Sequence, residues 1–179
     1  MARIHWDLNY WHQNYKALAV ATFFYIVGLL GYMSSAGAND AAPLLGLFYV
    51  VLTLNTYYSV RFFSPLTHPN DIAQRLMDVV LVLVYILLAF SFGAVAVFTF
   101  FALCLFIVAT AKYALLIGAA PYATVRHKIL IDLLGAAWCV ICLCGALEGY
   151  TTESAWVLAG GFLIANLYLL GWRPMYALR

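Results

Sequence analysis

Charge is what this chain has least of: nine Lys and Arg and seven Asp and Glu make up only 9% of its 179 residues. A soluble domain ordinarily carries about 25% charged residues. With 66% hydrophobic residues and a mean hydropathy of +0.95, the composition excludes a soluble globular protein and predicts an integral membrane protein. A crossing of the roughly 30 Å hydrocarbon core takes about 20 residues, so one bundle of spans is expected to use nearly the whole chain. No room is expected for a soluble catalytic or nucleic-acid-binding domain, and nucleic acid is not an expected partner.

Cysteine and histidine are equally sparse, at four residues each. Cys104, Cys139, Cys142 and Cys144 all fall within apolar segments, which argues against an extracellular disulfide framework. Cys139 and Cys142 have the spacing of a redox or metal pair, but they sit among Val, Ile and Leu with no activating cation nearby, so inert packing is the expectation. His5, His12, His68 and His127 lie near segment ends or in a loop; haem held between helices would want paired histidines in mid-span. Neither a zinc-binding spacing nor a phosphate-binding glycine loop, GxSxG or HExxH occurs. No cofactor or metal is therefore expected, and an enzyme is the less favoured class.

The few charges are distributed unevenly. Arg3, Lys16, Arg61, Arg75, Lys112, Arg126, Lys128, Arg173 and Arg179 all fall at one end of the apolar segments. The opposite reversal points, Ser34 to Ala42, Ser91 to Ala94 and Glu148 to Ser154, hold only the acids Asp40, Glu148 and Glu153. Positive charge in short loops stays cytoplasmic, so the basic ends and both termini are expected inside a multi-pass cell-membrane protein. The inner face should attract anionic lipid headgroups.

The expected architecture is all-α: a polytopic bundle of six transmembrane helices preceded by an interfacial amphipathic helix, forming a single transmembrane domain. Spans are placed near 17–33, 43–60, 76–92, 94–111, 129–147 and 155–172. Ile4, Leu8, Trp11 and Tyr15 recur at helical spacing among polar residues, so residues 1–16 are expected to lie along the inner interface. The same stretch lacks the form of a cleavable signal, and the start is expected to be kept. Pro43 suits a first helical turn, and Pro65 and Pro69 mark a loop. Leu76 to Ala111 is nearly continuous, and only Ser91-Phe92-Gly93-Ala94 allows the hairpin that one-sided basic charge requires. Trp6, Tyr10, Trp11, Tyr15, Tyr57, Tyr58, Tyr113, Tyr122, Trp172 and Tyr176 gather at the inner end and Tyr32, Tyr150 and Trp156 at the outer, as expected of an aromatic belt.

Asp78 and Asp132 stand out because each follows a basic residue, Arg75 or Lys128, by three or four positions inside an otherwise apolar span. Ionised carboxylates there must be paired or wetted. The plain reading is local neutralisation on each helix by Arg75 and by Lys128. The sharper reading joins them with Lys112, Arg61, Arg75, Arg126 and Lys128 in one polar cluster. Asn55 and Asn166 are amides in apolar surroundings that need partners, either across helices or around a ligand with Tyr57 and Tyr168.

The candidate ligand site is therefore Asn55, Tyr57, Arg61, Arg75, Asp78, Lys112, Arg126, Asp132 and Asn166. Three functions compete for it. A small transporter or transporter subunit would use it for a small molecule or ion. A membrane sensor or assembly subunit would bind a lipid or hydrophobic signal and dock a protein partner or a second copy. A lipid-headgroup enzyme would use the aspartates as acid and base.

Overall fold

A computed structural model describes residues 2–35, 37, 39–66, 71–117 and 122–169, with side chains described from Asn14 onward apart from Leu66 and Tyr122. Six α-helices occupy the described chain: α1 (Ala2–Ser34), α2 (Ala42–Phe63), α3 (Ile72–Ala89), α4 (Val95–Ala114), α5 (Tyr122–Leu147) and α6 (Thr151–Leu167). Five of them contain segments long and apolar enough to cross a membrane: Asn14–Ser34, Ala42–Phe63, Ile72–Ala89, Val95–Ala114 and Ala123–Leu147. The chain is thus a helical protein suited to a membrane. The sixth helix is 17 residues long, and its last turn continues at Tyr168 and Leu169 as a π-turn. The segment 170–172 at its expected end lies outside the described residues, as do His68, Pro69, Trp172, Arg173, Tyr176 and Arg179.

Local sequence accounts for the helix limits. Asp71 caps α3, its Oδ1 accepting from the backbone N–H of Ala73 at 3.0 Å and of Gln74 at 3.2 Å. Pro43 stands in the first turn of α2, where no intrahelical donor is lost. The reversal between α3 and α4 falls at Phe90–Gly93, with Ala94 extended; the Ser91 hydroxyl donates to the Leu88 carbonyl at 2.8 Å, and the Ala94 N–H to the Ser91 carbonyl at 3.1 Å. The long apolar run is therefore two helices, as the break at Ser91 to Ala94 indicated. Helix α5 ends in a left-handed glycine, Gly149 at φ +99°, and the Tyr150 N–H reaches back to the Gly145 carbonyl at 3.0 Å. At the other end of the chain α1 runs unbroken through Lys16, so residues 2–16 continue the helix of the first span. Its 33 residues extend about 50 Å, beyond the roughly 30 Å of a hydrocarbon core.

The helices close into a ring in the order α1, α2, α6, α5, α4, α3, with α3 returning to α1. Chain neighbours pack along most of this circuit, and the α2–α6 and α1–α3 contacts close it. The interior is aromatic and aliphatic: Phe48 lies against Phe98 and Phe162, and Phe92 against Phe98 and Tyr49. The exterior is equally apolar, presenting residues such as Leu18, Ile26, Leu83, Leu134, Ile141 and Ile164. A chain apolar both inside and outside is built for a hydrocarbon solvent. Close seams need small residues. A side chain at Gly31 of α1 would overlap the Ala89 carbonyl of α3, and one at Gly135 of α5 would meet the Phe106 ring of α4 at 2.7 Å.

Candidate functional site: a charged cavity at the basic end

At the end of the ring where the basic residues gather, the helices enclose a cavity of about 660 Å³. It reaches from Lys16, Ser64 and Lys112 at the basic end to Phe24, Leu52, Tyr85 and Leu105 deeper in the bundle. Helices α1 to α5 all contribute to its wall, so the site depends on closure of the ring.

Two ion pairs form its polar part. Lys112, in the last turn of α4, pairs with Asp78 on α3, so this pair ties two helices together. The Asp78 carboxylate is 51% exposed and the Lys112 side chain 17%, which places the pair toward the rim. The second pair lies on α5: Lys128 Nζ contacts Asp132 Oδ1 at 2.5 Å, and the two side chains are only 5% and 1% exposed. Asp132 stands about 15 Å along α5 from its start at Tyr122. The Lys128 ammonium also lies 5.2 Å from the centroid of the Tyr113 ring, an aromatic face that further stabilises the cation. Tyr113 in turn packs on Phe63 with ring centroids 4.7 Å apart.

Asp132 Oδ2 is buried and meets no donor among the described residues, although Asp132 lines the cavity. Leaving a buried charged acceptor without a partner is costly, more so than for a neutral group. Deeper in, the Tyr85 and Thr56 hydroxyls are hydrogen-bonded to each other, and Thr56 also donates to the Leu52 carbonyl at 2.9 Å. Phe24 stacks on Tyr85 at 4.1 Å between centroids, giving that end an aromatic wall.

Of the residues singled out from sequence, Asn55, Arg75, Asp78, Lys112 and Asp132 line the cavity together. The other four do not join the described lining. Tyr57 packs edge-on against Tyr58, Arg61 is half-buried, Arg126 is exposed, and Asn166 is buried in α6 with its Nδ2 donating to the Phe162 carbonyl of its own helix at 2.9 Å. The interhelical partner expected for the Asn166 amide is thus replaced by a bond within α6, and its Oδ1 meets no donor among the described residues.

Sequence reasoning passed over Tyr113, Gln74 and Lys16 as site residues, and placed Lys128 in the polar cluster without counting it among the ligand residues. Gln74 is buried beneath the rim, its Nε2 donating to the Lys112 carbonyl at 3.3 Å, so it steadies the end of α4. Lys128 had a readable signal. Val125, Lys128, Asp132, Ala136, Cys139 and Cys142 recur at three- and four-residue spacing and are all buried, and Arg126 falls off that stripe. Among the described residues, no group of three or more His, Cys, Asp and Glu could hold a metal ion. Comparison with protein families, with curated proteins and with solved structures finds no match to this chain.

Proposed function

We propose that the protein is a small integral membrane transporter, or the membrane subunit of one, whose solute site is the charged cavity. In this reading six helices cross the cell membrane, α6 being extended by Tyr168 and Leu169. Both termini and the cavity mouth face the cytoplasm, in keeping with the basic residues collected at that end. The residues before Lys16 continue α1 past the hydrocarbon on the cytoplasmic side. Anionic lipid headgroups meet the basic rim, and a protein partner or second copy can join the lipid-facing surface.

The observation that carries the reading is a cavity of about 660 Å³ lined by a buried carboxylate that keeps one oxygen without a donor among the described residues. A bundle needed only for structure gains nothing from such an arrangement, since replacing a buried ion pair by apolar side chains is often neutral or stabilising. A solute site does gain, because intramembrane ionisable groups in a cavity provide charge and hydrogen bonds where the bilayer has none.

Reconstitution in proteoliposomes tests this. Uptake of labelled charged and zwitterionic solutes above that of empty liposomes is the expected result, and Asp132→Asn is expected to abolish it. Uptake unchanged by both Asp132→Asn and Asp78→Asn would remove the cavity from the transport path. Solute binding without flux would instead make the same cavity the receptor site of a sensor or assembly subunit.

A further inference from the structure

The chemistry of the cavity wall restricts what it can hold. Among the described residues Lys16, Arg75, Lys112 and Lys128 line it with two carboxylates, Asp78 and Asp132, so the lining counts more basic than acidic groups and has a cationic excess. An anionic group on the ligand offsets that excess. Asp132 makes the opposite demand. Its Oδ1 is taken by Lys128, while its Oδ2 is buried without a donor among the described residues and is satisfied by an N–H or O–H brought to it. An ammonium does this best, since a charge-assisted bond is roughly twice as strong as a neutral one. Beyond the charges, Phe24, Leu52, Leu105 and Phe106 give the deeper wall an apolar, largely aromatic character. Gly135 abuts Phe106, which places Asp132 about one turn of α5 from that ring, on the side toward Lys128. Basic groups and an apolar wall therefore occur in a single cavity that is also lined by Asp132, whose Oδ2 meets no donor among the described residues.

We infer that the ligand is amphoteric: it carries an anionic group for the cationic wall, a protonated nitrogen for Asp132 Oδ2, and an apolar body that fits against Phe24 and Phe106. This rests on the reading of the cavity as a solute site. A simple inorganic anion leaves Asp132 unsatisfied, and a simple amine adds to the cationic excess. The shared chemistry of an anionic group and an N–H donor has two sources, a free zwitterionic solute and a phosphoethanolamine lipid headgroup.

The test is binding to the purified full chain, read as ligand-dependent thermal stabilisation and by direct titration, for three matched probes at millimolar concentration. L-Phenylalanine has both charges, 3-phenylpropanoate lacks the amine, and phenethylamine lacks the carboxylate. The zwitterion is expected to bind at least about tenfold more tightly than either analogue, the step that 1.4 kcal/mol of extra interaction produces. Asp132→Asn is expected to erase that advantage over 3-phenylpropanoate. Equal affinities for the three probes, or no binding of any of them, would overturn the inference, and this comparison in the unaltered chain needs no variant to fold. Repeating the titration in phosphatidylcholine nanodiscs with and without phosphatidylethanolamine separates the sources. Undiminished binding assigns the site to a free solute, and competition by the lipid assigns it to the headgroup. Because binding is read without flux, zwitterion selectivity in a protein that moves nothing would uphold the ligand class and reject transport.

Discussion

Lys128 and Asp132 are buried almost completely, whereas Asp78 is half exposed, and this difference in burial sets what each ion pair contributes. Removing one partner of a buried pair leaves an uncompensated charge and costs about 3–5 kcal/mol. An exposed pair is worth about 0–1 kcal/mol. Asp132→Ala is therefore expected to lower the unfolding midpoint in micelles far more than Asp78→Ala does, and equal losses would contradict the assigned depths. The presence of both aspartates in a polar region was legible in the sequence, because a carboxylate in an apolar run is conspicuous. Their partners were not equally legible. Lys128 follows from i,i+4 spacing, but Lys112 is 34 residues from Asp78 and reaches it only because α3 and α4 are antiparallel neighbours. Arg126 and Lys128 are alike in composition and differ by helical phase, and choosing Arg126 ignored the stripe running from Val125 to Cys142.

At the scale of the element, helix limits were readable because polar and turn-forming residues are rare enough to be informative. Ser91 to Ala94 overlaps the observed reversal at Phe90–Gly93 and ends on the residue that precedes α4, and Pro43 stands in the first turn of α2. The uninterrupted passage of α1 through Lys16 was not readable, since amphipathic spacing is the same whether a helix bends into the interface or continues along its axis. Helix packing depends on close seams. A methyl group at Gly31 collides with the Ala89 carbonyl of α3, a backbone group that can move only with its helix. Gly31→Ala is expected to destabilise the protein by about 1–3 kcal/mol through overpacking. Gly160, in α6, has open space where a methyl group would lie, so Gly160→Ala is expected to be neutral or to stabilise by about 0.5–1 kcal/mol. Thermal denaturation of the two variants in one detergent checks the contrast, and similar midpoints would disprove the α1–α3 seam.

For the whole molecule, one-sided basic charge gives the expected orientation and closure of the ring gives the cavity. Only the first could be read along the chain; the α2–α6 and α1–α3 contacts that complete the ring join segments distant in sequence. A reporter fused after Asp40 or Gly149 is expected to be extracytoplasmic, and one after His68 or at Arg179 cytoplasmic; a cytoplasmic signal at Gly149 would rule out six spans. Transport further requires the cavity to open in turn to each side of the membrane. The most direct test uses Ala109→Cys, a cavity-lining position on α4, in a chain whose Cys104, Cys139, Cys142 and Cys144 are replaced by Ala. A membrane-impermeant thiol reagent is applied separately from each face of oriented vesicles. Modification from both faces, slowed from both by a bound solute, is the expected result for a transporter. Modification from the basic face alone, or from neither face, would contradict it.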